Sequence, residues 1–268
     1  MTLVEKLHRV RSQERPVRFL TSRVLWHSGL SSLLTIDRGS YRLRFYPSAG
    51  SATLWLEQGR ESSDERVFRS LLRDGDTVID VGANIGNLSL LASTLVGPEG
   101  KVFAIEAHPR THSYLVGNIE LNRASNVIPI HAACGCETGT VNLSENRSDD
   151  QNAVATTGVA VPLRRLDDII GLQVNKRIAL LKIDVEGYEK FVLEGASQLL
   201  ARTDAVYFES WNAHFSRYQY SLQEVLALLR RFGFEVSTLS GNIVDESYES
   251  TNCENLLAAR VAVGARIG

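Results

Sequence analysis

Apolar residues alternate along the chain between short runs typical of strands and longer stretches with helical spacing. Residues 77–81 (TVIDV) predict a strand that runs into a glycine-rich turn at 82–86, and residues 87–96 predict a helix. Further strands are predicted at 101–106, 126–132, 178–184, 205–209, 234–239 and 255–261, and further helices at 109–122, 188–201 and 222–232. Strands that alternate with helices favour a parallel sheet covered on both faces, and we expect the last two strands to form an antiparallel pair at its edge.

The first third of the chain has a different pattern. Residues 33–36 and 41–45 flank an Asp-Arg-Gly-Ser turn, which predicts a hairpin, and residues 65–72 predict a helix that leads into the sheet. We therefore divide the chain into an N-terminal extension over 1–70, with a basic helix or arm, a hairpin and a helix, and a main domain over 71–268.

The composition is that of an ordinary soluble globular protein. Of 268 residues, 44% are hydrophobic and 22% are charged, and the net charge of −2 gives no sign of nucleic-acid binding. No apolar run is long enough for a transmembrane helix and no secretory signal is recognisable, so we expect a cytoplasmic protein. Three cysteines form neither a disulfide framework nor a zinc-ligand pattern.

Six basic residues lie within the first 23 positions: Lys6, Arg9, Arg11, Arg15, Arg18 and Arg23. They would suit an anionic partner or a membrane surface. A solvated helix or arm packed beside the main domain is the interpretation that we favour.

The strongest chemical signal is the turn after the first long strand. Asp80, Gly82, Asn84 and Gly86 surround this turn, and Glu106 ends the next predicted strand, where a carboxylate can accept both hydroxyls of a ribose. A dinucleotide-binding turn would have glycine at position 84, and the charge of Asp80 would repel a pyrophosphate. That charge suits the cationic end of S-adenosylmethionine, which we therefore favour over NAD.

Four segments extend this signal well beyond the turn: DGDTVIDVGANIGNLSLLAS (74–93), VFAIEAHP (102–109), VPLRRLDDI (161–169) and LLKIDVEGYEKFVLEGA (180–196). They resemble the FkbM family of S-adenosylmethionine-dependent methyltransferases, and the similarity covers about residues 65–209. The resemblance implies a Rossmann-like class I methyltransferase fold, a doubly wound and mostly parallel α/β sheet of seven strands with an antiparallel edge strand. Ala107 and His108 depart from the usual family pattern on the adenosine side.

The resemblance also implies a cofactor site. Carried over by position, its residues are Asp80, Gly82, Asn84, Gly86 and Glu106. The adenine is expected near Ala132 and Ala133, and the polar segment 144–158 is expected to form a surface loop nearby.

Candidate catalytic residues follow two neighbouring strands, whose carboxyl ends should meet at the ligand crevice. Lys182, Asp184 and Glu186 follow one strand. Asp184 is our preferred base for the proton of the methyl acceptor. Lys182 has either a catalytic role or an ion-pairing role, and Glu186 is expected to stabilise the N-terminus of the following helix.

The other strand is followed by Glu209, Trp211, Asn212 and His214. Glu209 and His214 are the alternative bases, and a loop histidine with no chemical task is the other interpretation of His214. Trp211 either packs on the sheet or lines the acceptor pocket. A less favoured mechanism has Mg²⁺ held by the oxygens of Asp184, Glu209 and Asn212.

The function implied is methyl transfer to a hydroxyl of a sugar or secondary metabolite. Methylation of an amide nitrogen in a peptide side chain is the closest rival, and a non-catalytic module that binds S-adenosylmethionine is a second class. The sequence leaves the identity of the acceptor and the oligomeric state open.

Overall fold

The computed structural model describes residues 15–28, 31–144, 152–171, 173, 177–249 and 252–260. Its strands are β1 (Thr35–Asp37), β2 (Arg42–Arg44), β3 (Thr77–Val81), β4 (Lys101–Glu106), β5 (Val127–His131), β6 (Ala133–Cys134), β7 (Gly139–Leu143), β8 (Val154–Ala155), β9 (Val159–Arg164), β10 (Ile178–Ile183), β11 (Thr203–Ser210), β12 (Phe234–Thr238) and β13 (Glu254–Arg260). Its α-helices are α1 (Pro16–Ser28), α2 (Ala49–Leu56), α3 (Ser63–Leu71), α4 (Asn87–Val96), α5 (Pro109–Asn122), α6 (Leu166–Ile170), α7 (Glu189–Glu194), α8 (Ser197–Leu200), α9 (Asn212–Arg217) and α10 (Leu222–Arg231).

Seven strands form the central sheet in the spatial order β12-β13-β11-β10-β3-β4-β5. The pairs among β11, β10, β3, β4 and β5 are parallel, whereas β13 is antiparallel to both β11 and β12. The predicted doubly wound, mostly parallel sheet is confirmed, and so is the antiparallel pair β12–β13 at its edge. The antiparallel strand is not the edge strand itself. β12 forms the edge, and β13, which runs in the opposite direction, lies between β12 and β11.

Alternate residues of the central strands pack into two separate hydrophobic cores. Ile79, Phe103 and Leu181 lie in the core that α7, α8 and α10 cover, and their neighbours Val78 and Leu180 lie in the core on the opposite face. This alternation follows from the period of two residues in a strand. Both faces are therefore buried, as expected for parallel strands between helices.

The predicted hairpin at the N-terminal end is present as β1 and β2. Its side chains Ile36, Leu43 and Phe45 are fully buried and belong to the same core as Phe68 of α3 and Leu90 of α4. The hairpin thus shares a hydrophobic core with the sheet, and the domain boundary at residue 70 stays a prediction.

Two sequence-based expectations were wrong in detail. Part of the predicted loop 144–158 forms β8, which pairs with β7 in a second sheet of order β6-β9-β7-β8; residues 145–151 lie outside the described residues. The helix predicted over 188–201 is broken into α7 and α8. The break lies at Gly195, where a Cβ atom would stand 2.0 Å from the Gly135 carbonyl oxygen.

Among the described residues, no helix combines the length and the apolar character needed to cross a bilayer.

Candidate active site

A cavity of about 780 Å³ lies at the carboxyl ends of β3, β4, β10 and β11. This is the edge at which an open α/β sheet binds its ligands. The small sheet and α9 complete the wall, so that Ala132, Leu143 and His214 face the same space as the turn after β3. The elements that the sequence singled out therefore meet in one site.

The turn after β3 is built on residues with left-handed backbone conformations. Gly82 has φ +76° and Asn84 has φ +51°, and both line the cavity. A Cβ atom on Gly82 would lie 1.8 Å from the Asp184 carbonyl oxygen, so this glycine lets β3 and β10 approach each other closely. Gly86 (φ +91°) does not line the cavity, and its missing side chain makes room for Leu115 instead.

Asp80 lies beneath the cavity and is fully buried. It sits beside Lys182 on adjacent strands, with 3.1 Å between a carboxylate oxygen and the lysine Nζ, and its other oxygen accepts a hydrogen bond from Ser89 Oγ at 2.5 Å. Asp80 does not line the cavity. We expected it to contact the charged end of the ligand directly, but its carboxylate forms an internal ion pair with Lys182 instead.

Lys182 is buried as well, and it donates a hydrogen bond to the Gly82 carbonyl oxygen at 2.7 Å. Burial alone would lower its pKa, but the charges of Asp80 and Asp184 outweigh this effect and the pKa is raised. Lys182 does not line the cavity. Of the two roles considered for it, the geometry favours ion pairing.

Glu106 lines the cavity at the end of β4. Its two carboxylate oxygens accept hydrogen bonds from the backbone N–H groups of Asn84 and His108, each at 2.9 Å. Burial raises the pKa of Glu106 to about 7, although both hydrogen bonds act in the opposite direction. The carboxylate is thereby fixed with its remaining lone pairs available to hydroxyl donors.

Asp184 follows β10, and 47% of its side chain is accessible from the cavity. The surrounding protein nevertheless shields the carboxylate from much of the solvent, and this desolvation raises its pKa to about 6. The charge of Lys182, whose Nζ is 3.7 Å away, lowers the pKa, and the charge of Glu209 raises it. A carboxylate with this pKa is ionised at neutral pH and can accept a proton.

His214, Glu186 and Glu209 meet on the wall next to Asp184. Their ligand atoms all lie within 4.8 Å of one another, so these three side chains could hold a metal ion. The Mg²⁺ ligand set expected from the sequence is not assembled in this form, because Asn212 lies exposed at the start of α9 and outside the cavity lining.

Comparison with known proteins agrees with this geometry. The family model of the methyltransferase FkbM domain matches residues 80–236, which is more than half of the chain. This chain belongs to the FkbM methyltransferase family. The resemblance seen in the sequence and the class I methyltransferase fold are thereby confirmed, and S-adenosylmethionine is the methyl donor of this FkbM enzyme.

Individual FkbM-like relatives are distant. Methyltransferase 1 of Beauveria bassiana is 31% identical over 147 residues, which are 46% of this chain and 59% of that protein. The hexuronic acid methyltransferase AglP of Haloferax volcanii is 25% identical over 215 residues, 78% of this chain and 83% of that protein. The crystal structure of an FkbM methyltransferase from Methylobacillus flagellatus aligns with a TM-score of 0.46 at 14% identity, covering 92% of this chain and 60% of that one.

Some residues that line the cavity were not singled out by the sequence analysis. Among these are Tyr188, Arg217 and Cys253. Arg217 lies one helical turn after His214, a spacing that could have indicated it. Cys253 reaches the site only because β13 pairs with β11, which places its Sγ atom 3.1 Å from Glu209 Oε1, and no local sequence signal reports that pairing.

Proposed function

We propose that this FkbM-family enzyme methylates a hydroxyl oxygen of a sugar or other small-molecule acceptor, with Asp184 as the base. The observation that supports the proposal is that Glu106 and Asp184 open into one cavity at the carboxyl ends of β4 and β10, the two strands that flank β3. One carboxylate would bind the nucleoside of the donor, and the other would face the acceptor. The volume of about 780 Å³ is of the size that holds a cofactor together with a small acceptor.

The residues present fit S-adenosylmethionine. Glu106 would accept the ribose hydroxyls, Gly82 and Asn84 would lie along the donor, and Ala132 would contact the adenine. Gly86 and Asp80 would act indirectly, by shaping the turn and by fixing Lys182. When bound, S-adenosylmethionine supplies a methyl group on a positively charged sulfur.

The chain contributes alignment and a proton acceptor. Asp184 would accept the hydroxyl proton as the acceptor oxygen attacks, and Lys182 would hold that carboxylate in place through its ion pair. Glu209 and His214 would bind the acceptor beside it. The walls formed by the small sheet and α9 would keep bulk water from the reacting oxygen.

An acidic sugar would have one cationic partner in the cavity. Arg217 is the only lysine or arginine among the described residues that line the cavity. Its guanidinium suits a carboxylate. The similarity to a protein named hexuronic acid methyltransferase points in the same direction.

The proposal is tested with isotope-labelled S-adenosylmethionine and three acceptor types: a uronic acid, the corresponding neutral sugar and a peptide amide. We expect label on a hydroxyl oxygen and a preference for the uronic acid. Label on nitrogen would favour the rival peptide substrate. If the donor binds and no acceptor is labelled, a non-catalytic binding module would replace the enzyme proposal.

Asp184→Asn tests the base directly. Because the amide cannot accept the proton, the turnover number should fall by about 10²–10⁴-fold, with little change in binding of S-adenosylhomocysteine. In the unchanged protein, turnover should decline as the pH falls through about 6, where Asp184 becomes protonated. Asp245→Asn, in an exposed loop, is the matched control and should leave turnover unchanged. Full activity of Asp184→Asn would assign the base to another residue.

A further inference from the structure

One side-chain cluster on the cavity wall has a geometry that the proposed function does not explain. We call Glu186, Glu209 and His214 the carboxylate–imidazole cluster. Glu186 comes from the turn after β10, Glu209 from the end of β11 and His214 from α9. His214 is only 8% exposed, with its Nδ1 atom 3.2 Å from a Glu209 oxygen and its Nε2 atom 3.5 Å from a Glu186 oxygen. Both ring nitrogens therefore face carboxylates.

A neutral imidazole cannot satisfy both neighbours. It carries one N–H group, so if Nδ1 donates to Glu209, the lone pair of Nε2 points towards the Glu186 carboxylate. A lone pair and an ionised carboxylate at this distance repel each other. A bound cation between the two atoms would remove that repulsion and would make both of them ligands.

The distance between His214 Nε2 and the Glu186 oxygen favours a bound cation over a direct hydrogen bond. An N–H···O hydrogen bond usually spans about 2.7–3.2 Å. Two ligand atoms that lie about 2.0–2.2 Å from a tetrahedral metal ion are roughly 3.4 Å apart. The observed 3.5 Å between Nε2 and the Glu186 oxygen matches the second arrangement. All ligand atoms of the cluster lie within 4.8 Å, so rotation of one glutamate would complete a three-ligand site.

We infer that Glu186, Glu209 and His214 bind a divalent first-row transition-metal ion. One imidazole and two carboxylates suit ions such as Mn²⁺, Fe²⁺ or Zn²⁺ better than Mg²⁺, which prefers oxygen ligands alone. This ligand set differs from the Mg²⁺ set expected from the sequence in two of its three members, because Glu186 and His214 replace Asp184 and Asn212.

The backbone around the cluster holds the ligands in place. Glu186 has φ +59°, an uncommon conformation for a residue with a side chain, and the neighbouring Gly187 packs so tightly on α9 that a Cβ atom would lie 2.8 Å from the His214 carbonyl oxygen. Glu189 fixes the same turn by accepting hydrogen bonds from the N–H groups of Val185 and Gly187. The ligands are thus preorganised, which lowers the entropy cost of binding an ion.

The charges around the cavity favour a cation as well. Four acids line it among the described residues, namely Glu106, Asp184, Glu186 and Glu209, against the single arginine Arg217. Lys182, which lies next to Asp184, is already paired with Asp80. If the proposed function holds, the ion would use an open coordination position to bind the acceptor oxygen next to Asp184.

The inference is tested on the full chain with Mn²⁺ as the probe, without donor or acceptor. After treatment with a chelator, the protein is titrated with Mn²⁺ and the loss of the free-ion signal is followed by electron paramagnetic resonance. We expect one bound ion per chain.

Glu186→Gln and His214→Ala should each weaken binding of Mn²⁺ at least about tenfold. The control is Glu224→Gln, at an exposed acid outside the cavity, which should leave binding of Mn²⁺ unchanged.

Retained binding of S-adenosylhomocysteine shows that each variant is folded. No binding of Mn²⁺, or of Zn²⁺ in a competition experiment, would overturn the inference. Binding that Glu186→Gln and His214→Ala leave unchanged would place the ion elsewhere and would overturn it too. Methyl transfer by a protein that binds no metal would overturn the metal site and would leave the proposed function intact.

Discussion

At the scale of single residues, the raised pKa of Glu106 predicts that binding of the nucleoside depends on pH. Burial raises its pKa from the ordinary 4.5 to about 7, so the ionised form that accepts ribose hydroxyls is complete only above this pH and is lost as the pH falls through 7. We expect S-adenosylhomocysteine to bind about tenfold more weakly at pH 6 than at pH 8. Calorimetric titration at both pH values measures this. Glu106→Gln should bind weakly at both, and a pH dependence that survives in this variant would exclude Glu106 as its source.

The roles of single residues were predictable from the sequence only where they depend on local structure. The position of Glu106 at a strand end follows from the hydrophobic pattern, and it does line the cavity. The pairing of Asp80 with Lys182 depends instead on the register of β3 and β10, two strands that are far apart in the chain and adjacent in the sheet. No local pattern reports this register, so the sequence could not show that Asp80 lies beneath the cavity.

At the scale of elements, the contact between the ends of β3 and β10 depends on Gly82. In Gly82→Ala the new Cβ atom would meet the Asp184 backbone, and the φ of +76° disfavours any side chain. We expect a loss of roughly 3 kcal/mol or more in the free energy of unfolding, measured by urea denaturation. Gly139→Ala is the matched control, because no atom lies within 4 Å of the position that its Cβ would take and its φ is not positive. Equal stability of both variants would contradict this account of the turn.

Element boundaries were predictable where the signals that end an element are local. Helices α4 and α5 begin and end where predicted, since Gly86 and Gly97 flank the first and Pro109 opens the second. The break between α7 and α8 was missed because it arises from the contact of Gly195 with the Gly135 backbone, which comes much earlier in the chain. An extended piece at 140–143 is predicted by the sequence and corresponds to β7, but the pairing of the small sheet is not, since β6 and β9 pair across an intervening hairpin.

At the scale of the whole molecule, the N-terminal hairpin should be part of the cooperative fold. Phe45 is fully buried in the core shared with α3 and α4, so Phe45→Ala should lower the free energy of unfolding by about 3–5 kcal/mol. Leu33→Ala, at a position that is 77% exposed, should change it by less than about 0.5 kcal/mol. Urea unfolding followed by circular dichroism measures both. A separate early transition in Phe45→Ala, with the main transition unchanged, would show that the hairpin unfolds on its own.

The position of β13 also affects how the protein can be synthesised. Residues 254–260 are the last described strand in the chain, yet they lie between β11 and β12. While a nascent chain on the ribosome lacks them, both flanking strands expose unpaired backbone groups that other chains can bind. Chaperone protection should therefore matter most until residues 254–260 have been synthesised, and a stop codon before residue 254 would leave the facing edges of β11 and β12 unpaired.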